Sequence, residues 1–299
     1  MCGVAGFIAG SSLEGGVDLM AMLKLLAHRG VDATGVAYYE RREHVKLRVA
    51  LRSPGAQGAL EEMVAHHATI LDSRCYHGRG VFTFCEFTLD LPEDAVGALY
   101  REIDGHPDLC VHSFGSRLTI IKDQGSAEEL QRHHSIHPGF CSHGIGHVRL
   151  ATESVEDVNL AHPFTSPLMP GLSMVHNGSF TNYFKVRRWL ENKGVSFKTT
   201  NDSEMAANFL AYQMGVNGLS LEKALWLGLE TFDGVFTILA ATESEVGALR
   251  DNLAMKPLVY YQGDDGTVLF GTEQTCLTPV FPDVYATEME PGGVKIWRV

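Results

Sequence analysis

The 299-residue sequence contains no apolar run approaching the ~20 residues that cross a bilayer as a helix, so no membrane span is expected. Its start lacks a basic segment followed by a long apolar one, so no signal peptide is expected either. No C-x-x-C pair occurs among the six cysteines, Cys2, Cys75, Cys85, Cys110, Cys141 and Cys276. That scatter argues against a zinc ribbon or a small disulfide scaffold, and reduced thiols in a cytoplasmic protein are expected. Positive charge is in deficit, with 24 Lys and Arg against 36 Asp and Glu and a formal net charge of −12. Nucleic acid and anionic membranes are therefore poor partners. No internal repeat or low-complexity linker is evident.

What is present is ample apolar material. Hydrophobic residues make up 45% of the chain, enough for a sizeable core. Gly3 to Ala9 alternates small and apolar residues, a buried-strand pattern. Val17 to His28 carries Leu19, Met22, Leu23 and Leu26 at helical spacing. Thr34 to Tyr39 and Val45 to Leu51 flank a charged turn and read as a hairpin. Strand patterns recur at 81–89, 118–122, 144–150, 172–176, 234–241, 257–262 and 267–272. Helical patterns lie at 93–103, 127–133, 181–193, 202–214 and 220–231, with Ser126 and Glu129 spaced as a capping box. Many strands with few β-α-β crossovers suggest α+β layers.

The second residue organises the chemistry. If Met1 is removed, Cys2 becomes the N-terminus, and one residue carries a thiol and a free α-amino group. The thiolate is a strong nucleophile. An α-amino group titrates near ~8 and can serve as a base close to neutral pH. Nucleophile and base then need no histidine partner.

Four further segments stand out: His28-Arg29-Gly30-Val31-Asp32, Gly146-His147-Val148-Arg149, His176-Asn177-Gly178, and Asn201-Asp202-Ser203-Glu204. Hydrolysis of an amino acid's amide requires a nucleophile, a base, an oxyanion hole and clamps for the carboxylate and ammonium. Arg149 could grip a carboxylate with its fork and Asp202 an ammonium. The Asn177 side-chain amide and the Gly178 backbone N–H could face an oxyanion. Each also has an ordinary reading. Arg149 could be a solvent-facing strand end, and Asn177-Gly178 a hairpin turn. Asn201 could cap a helix, with Glu204 closing a capping box, and His28-Arg29-Gly30 could be a helix stop.

Taken together, the stretches MCGVAGF, HRGVDATG, GHVRLATES, NLAHPF, HNGSFTNY and NDSE, with RDNLAMKPLVYY and FGTEQTCL, resemble the class II glutamine amidotransferases, a branch of the N-terminal nucleophile (Ntn) hydrolases. The resemblance implies a four-layer αββα sandwich of antiparallel sheets. It implies that Cys2 attacks the glutamine amide, releasing ammonia and leaving a glutamyl thioester that water hydrolyses. Arg149 would bind the glutamine carboxylate, Asp202 its α-amino group, and Asn177 with Gly178 the oxyanion. Arg29 would lie near the nucleophile, and Thr152 and His162 around the glutamine pocket. Val31 stands where the family has proline, and Leu150-Ala151-Thr152-Glu153 departs from its S-T-x-G.

The resemblance spans residues 2–299 as one amidotransferase domain, with an insertion expected at about 52–140. Such a chain, ending at Val299 just after its last strand, looks most like the stand-alone glutaminase subunit of N-methylglutamate-synthase or glutamate-synthase-type complexes. Glutamine and synthase-like subunits are then the expected partners. No flavin or iron–sulfur motif occurs in this chain, so such a cofactor would belong to a partner. The cluster His133, His134, His137 and His143 with Cys141 is expected to be a polar surface loop and not a metal site. Two other readings remain: a free Ntn-type hydrolase of another amide, or a catalytically silent regulatory subunit.

Overall fold

Residues of the first strand alternate between two interiors, and that alternation lays out the molecule. The computed structural model describes residues 2–11, 18–79, 82–136, 141–150 and 157–299. In chain order the strands are β1 (Gly3–Ile8), β2 (Ala33–Tyr39), β3 (Val45–Leu51), β4 (Thr69–His77), β5 (Thr83–Asp90), β6 (Leu109–Gly115), β7 (Leu118–Gln124) and β8 (His143–Arg149). There follow β9 (Phe164–Ser166), β10 (Met169–Phe180), β11 (Gly234–Ala241), β12 (Glu245–Arg250), β13 (Val259–Gln262), β14 (Val268–Gly271), β15 (Thr287–Glu288) and β16 (Val294–Arg298). The α-helices are α1 (Leu19–Lys24), α2 (Gln57–His67), α3 (Val96–Gly105), α4 (Ala127–His133), α5 (Tyr183–Glu191), α6 (Asp202–Ala211) and α7 (Leu221–Thr231).

Val4 and Ile8 of β1 point into one apolar cluster with Val175, Leu239 and Ala248, while Ala5 and Phe7 join Leu19, Leu23 and Leu130 in another. The period of two is the pleat of a strand buried on both faces. The first cluster lies between a seven-stranded sheet, β15-β13-β14-β1-β8-β2-β7, and a five-stranded one, β16-β12-β11-β10-β9. The second lies between the seven-stranded sheet and α1 and α4. Phe236, Ile238 and Ala240 of β11 face a third cluster under α5, α6 and α7. The order is helices, sheet, sheet, helices, with every strand pair antiparallel. Each fully buried Leu, Ile or Phe in these layers contributes roughly 1.5–3 kcal/mol.

β3, β4, β5 and β6 form a separate four-stranded sheet in the order β4-β5-β3-β6, with α2 and α3 on its apolar face. The expected hairpin of 34–39 with 45–51 is therefore corrected. β2 pairs with β7 and β8, and β3 with β5 and β6. The alternation marked both strands but carried no information about their neighbours.

Other local readings hold or shift in small ways. Ser126 caps α4 with the reciprocal Glu129 bond of a capping box. Helix α6 passes at Tyr212 into a π-helical turn that runs to Val216. The expectation of reduced thiols is corrected at one pair, because Cys75 and Cys85 face each other across β4 and β5 and are joined by a disulfide. His134 and His143 are buried rather than in a polar surface loop, and they are engaged separately. His134 bonds Asp123, while His143 stacks on Tyr39 and reaches the Thr242 carbonyl. His137 lies outside the described residues. Among the described residues, no helix is long and apolar enough to cross a membrane.

Candidate active site

The site forms where three strand ends meet the middle of β10. β1 starts at Gly3, opposite Val148 of β8, so Cys2 and Arg149 extend side by side from neighbouring strands. Gly30, just after the 3₁₀ turn Ala27–Arg29, packs on this end so closely that a Cβ would fall 2.4 Å from the Arg149 carbonyl carbon. Here only glycine allows the approach. β14 ends at Gly271, and Thr272 then pins β1 through both its backbone N–H and its hydroxyl, which bond to Val4.

Cys2 is held by its main chain. Its carbonyl oxygen accepts from Arg29 Nε at 2.9 Å and from Asn177 Nδ2 at 3.1 Å. Its Sγ lies 3.9 Å from the Leu150 carbonyl oxygen. Arg29 is only 9% exposed, and its Nη1 pairs with Glu273 at 2.5 Å. His28 reaches the same carboxylate at 3.2 Å. Partial burial pushes the Glu273 pKa up, but hydrogen bonds and charge from Arg29 and His28 outweigh it and hold the carboxyl below its usual value. Glu273 is the functional candidate that motif reading missed. It lay inside FGTEQTCL, and only the spatial return of β14 beside β1 gives it a role.

Asn177 and Gly178 are not a turn. They lie inside β10, opposite Thr237 and Phe236 of β11. Gly178 has φ +139°, and a Cβ there would sit 2.0 Å from the Val235 carbonyl oxygen. The position demands glycine on both counts. Three residues along β10 from Asn177, the Phe180 N–H donates to Asp202 Oδ2 at 3.2 Å. Asp202 opens α6, whose cap is Asn201 accepting from the Ser203 N–H. Glu204 does not close the capping box. Its carboxylate instead takes the Lys198 and Thr199 N–H groups and the Thr199 hydroxyl.

Arg149 is half-buried and has no hydrogen-bond or ion-pair partner among the described residues. Thr152 lies outside them. His162 is 6% exposed and packs against His147 with ring centroids 4.0 Å apart, so its ring belongs to the interior behind the site. His176 completes that interior group, bonding Ser203 Oγ through Nδ1 at 2.9 Å, while Ser203 reaches Asp202. Burial drives the pKa of His147 to about 3, that of His176 to about 4, and that of His162 well below its usual value. All three rings are neutral at pH 7.

A family model for the glutamine amidotransferase domain matches residues 147–279. A relative from Methanothermobacter thermautotrophicus, named as a suspected glutamine amidotransferase, is 31% identical over 308 residues, spanning 100% of both chains. The glutamine amidotransferase-like protein GlxB of Rhizobium meliloti is 32% identical over 306 residues, covering 99% of this chain and 98% of its own. Among solved structures, an allosteric regulatory enzyme of purine biosynthesis superposes with TM-score 0.62 at 21% identity, over 99% of this chain and 49% of that one. The glutamine phosphoribosylpyrophosphate amidotransferase of B. subtilis gives 0.58 at 20%, with the same coverage. The chain thus spans about half the length of those two structures, and at such identities they speak to the fold alone, an Ntn-hydrolase sandwich. The two full-length relatives carry the assignment further: this chain belongs to the class II glutamine amidotransferases.

Proposed function

We propose that this chain is the glutaminase half of a synthase complex, releasing ammonia from glutamine and handing it to a partner subunit of glutamate-synthase or N-methylglutamate-synthase type. The observation that carries the glutamine reading is Arg149, a half-buried guanidinium with no partner among the described residues, on the strand next to the Cys2 backbone. A guanidinium without a protein partner suits a carboxylate brought by substrate.

In this reading Met1 is removed and the Cys2 α-amino group takes the thiol proton. The thiolate attacks the side-chain carbonyl carbon, and the oxyanion is met by Asn177 and the Gly178 N–H. One Asn177 N–H already holds the Cys2 carbonyl, which keeps the amide beside the nucleophile and leaves its second N–H for the oxyanion. The C–N bond breaks as the α-ammonium returns its proton to the leaving amine. Water then cleaves the thioester, giving glutamate and restoring the thiol. Asp202 pairs with the substrate's α-ammonium, and Arg29 keeps the Cys2 backbone in place. Thr152 and His162 would shape the glutamine pocket, His162 from behind through His147. This chain supplies the chemistry without a cofactor, and any flavin or iron–sulfur cluster would sit in the partner.

The test is intact-protein mass spectrometry before and after an electrophilic glutamine analogue. The expected result is loss of Met1 and one adduct on Cys2 that glutamine blocks. Retained Met1 would remove the base, and a glutamine-insensitive adduct would point to another amide.

A further inference from the structure

The four-stranded sheet turns a charged face toward the sandwich. Its apolar face is covered by α2 and α3, with Val45, Leu47, Val49 and Leu51 of β3 all buried there. The alternate residues, Lys46 and Arg48, project from the other face. Cross-strand register places Glu86 of β5 beside Arg48, Arg74 of β4 beside Glu86, and Ser113 of β6 on the far side of Arg48. This face, together with β2, β7 and the end of α4, encloses a cavity of about 390 Å³. That volume is in the range of small-molecule sites.

The charges in this cavity are not balanced. Arg48 and Arg74 share a single carboxylate, Glu86. Arg42 pairs with Glu40 and reaches Thr119. Lys46 has no hydrogen-bond or ion-pair partner among the described residues, and Asp72 is the remaining acid in the lining. Four cations thus face three carboxylates. Arg48 is only 3% exposed, yet its Nε has no hydrogen-bond partner among the described residues, and neither has the buried Nη1 of Arg42. A buried N–H on a charged group is costly to leave unmatched. His134 adds no charge, since burial lowers its pKa. Its ring orients the Arg48 guanidinium instead, bonding Arg48 and Tyr76 through Nδ1 and Asp123 through Nε2.

We propose that this cavity is a second ligand site, separate from the Cys2 centre, that takes a small organic anion carrying a carboxylate or phosphate group. The anion's oxygens would accept from Arg48 Nε and Arg42 Nη1. The hydroxyls of Ser113 and Thr88, which also line the cavity, would fix the remainder of the molecule. Lys46 stands at the rim and draws the anion in.

Arg48 is tied to Glu86 and Tyr76, so removing it would test folding as much as binding. Lys46 is exposed, and Lys46→Glu reverses the rim charge without touching the buried bonds. The experiment is calorimetric titration of the full chain with inorganic phosphate and, separately, succinate. An Arg149→Ala background removes the cation proposed to bind a carboxylate beside Cys2. The expected result is binding of at least one anion with Kd near or below about 1 mM, weakened about tenfold or more by Lys46→Glu and unchanged by Lys223→Glu on α7. Phosphate alone would assign a phosphate ester, succinate alone a carboxylate, and both a general anion site. No heat from either anion, or equal affinity in Lys46→Glu, would overturn the proposal.

Discussion

Arg29 and Asn177 donate to the same atom, the carbonyl oxygen of Cys2, from two separate elements of the sandwich. One comes from the turn behind α1, the other from the middle of β10. The Cys2 backbone is therefore fixed by two elements far apart in sequence, and Glu273 holds one of them by its charge.

Glu273→Gln should lower kcat for glutamine hydrolysis about tenfold and leave KM within about twofold. It keeps the side-chain shape but removes the charge that aims Arg29 at Cys2, and small misplacements of a reacting group are costly. Steady-state kinetics on the purified variant decide it. An unchanged kcat would show that the Arg29–Cys2 contact is only packing.

Arg149→Ala should raise KM by about 10- to 100-fold with a smaller change in kcat, because a charge-assisted bond to a carboxylate contributes about 1.5–3 kcal/mol. The same assay reads this, and a KM equal to wild type would count against the clamp.

Gly178→Ala should destabilise the fold by several kcal/mol, roughly 1–3 from the backbone conformation alone and more from the clash with Val235. Urea denaturation would report it as a lowered midpoint. A stable variant with normal activity would mean that β10 and β11 can separate locally at no cost.

Acid should weaken the protein through its interior histidines. His147, His162 and His176 are neutral in the fold and titrate near ~6.5 once unfolded, so the unfolded chain binds protons first as pH falls. The stability they confer is complete above about pH 6.5 and declines toward pH 4 and 3, at up to about 1.4 kcal/mol per pH unit for each ring. Ring resonances followed by NMR from pH 7.5 to 5 should not shift while the urea midpoint falls. A ring that titrates near ~6.5 in the native protein would contradict this.

Much of the candidate site was legible as short runs in the sequence. Cys2, Arg29, Asn177, Arg149 and Asp202 each announce themselves within a few residues, and the chain brings Cys2, Arg29 and Asn177 into direct contact. What could not be read depends on strand neighbours. Glu273 acquires its partner only because β14 lies against β1. Asn177-Gly178 has the letters of a turn, yet the long strand β10 runs straight through it. Val45 to Leu51 had the pattern of a hairpin arm but pairs with strands from a separate sheet. Cys75 and Cys85 are joined only because β4 and β5 place them opposite each other. Periodicity reports which face a residue takes. It is silent about which strand lies alongside.

Tyr39 and Leu118 stand directly opposite each other in β2 and β7, and the Glu40 N–H bonds to the Arg117 carbonyl. The chain thus departs the seven-stranded sheet and rejoins it at a single doorway. Everything threaded through that doorway, residues 40–117, is one excursion of the chain away from the seven-stranded sheet. A tight turn there would leave every sandwich strand, that of Cys2 included, with the same hydrogen-bonded neighbours.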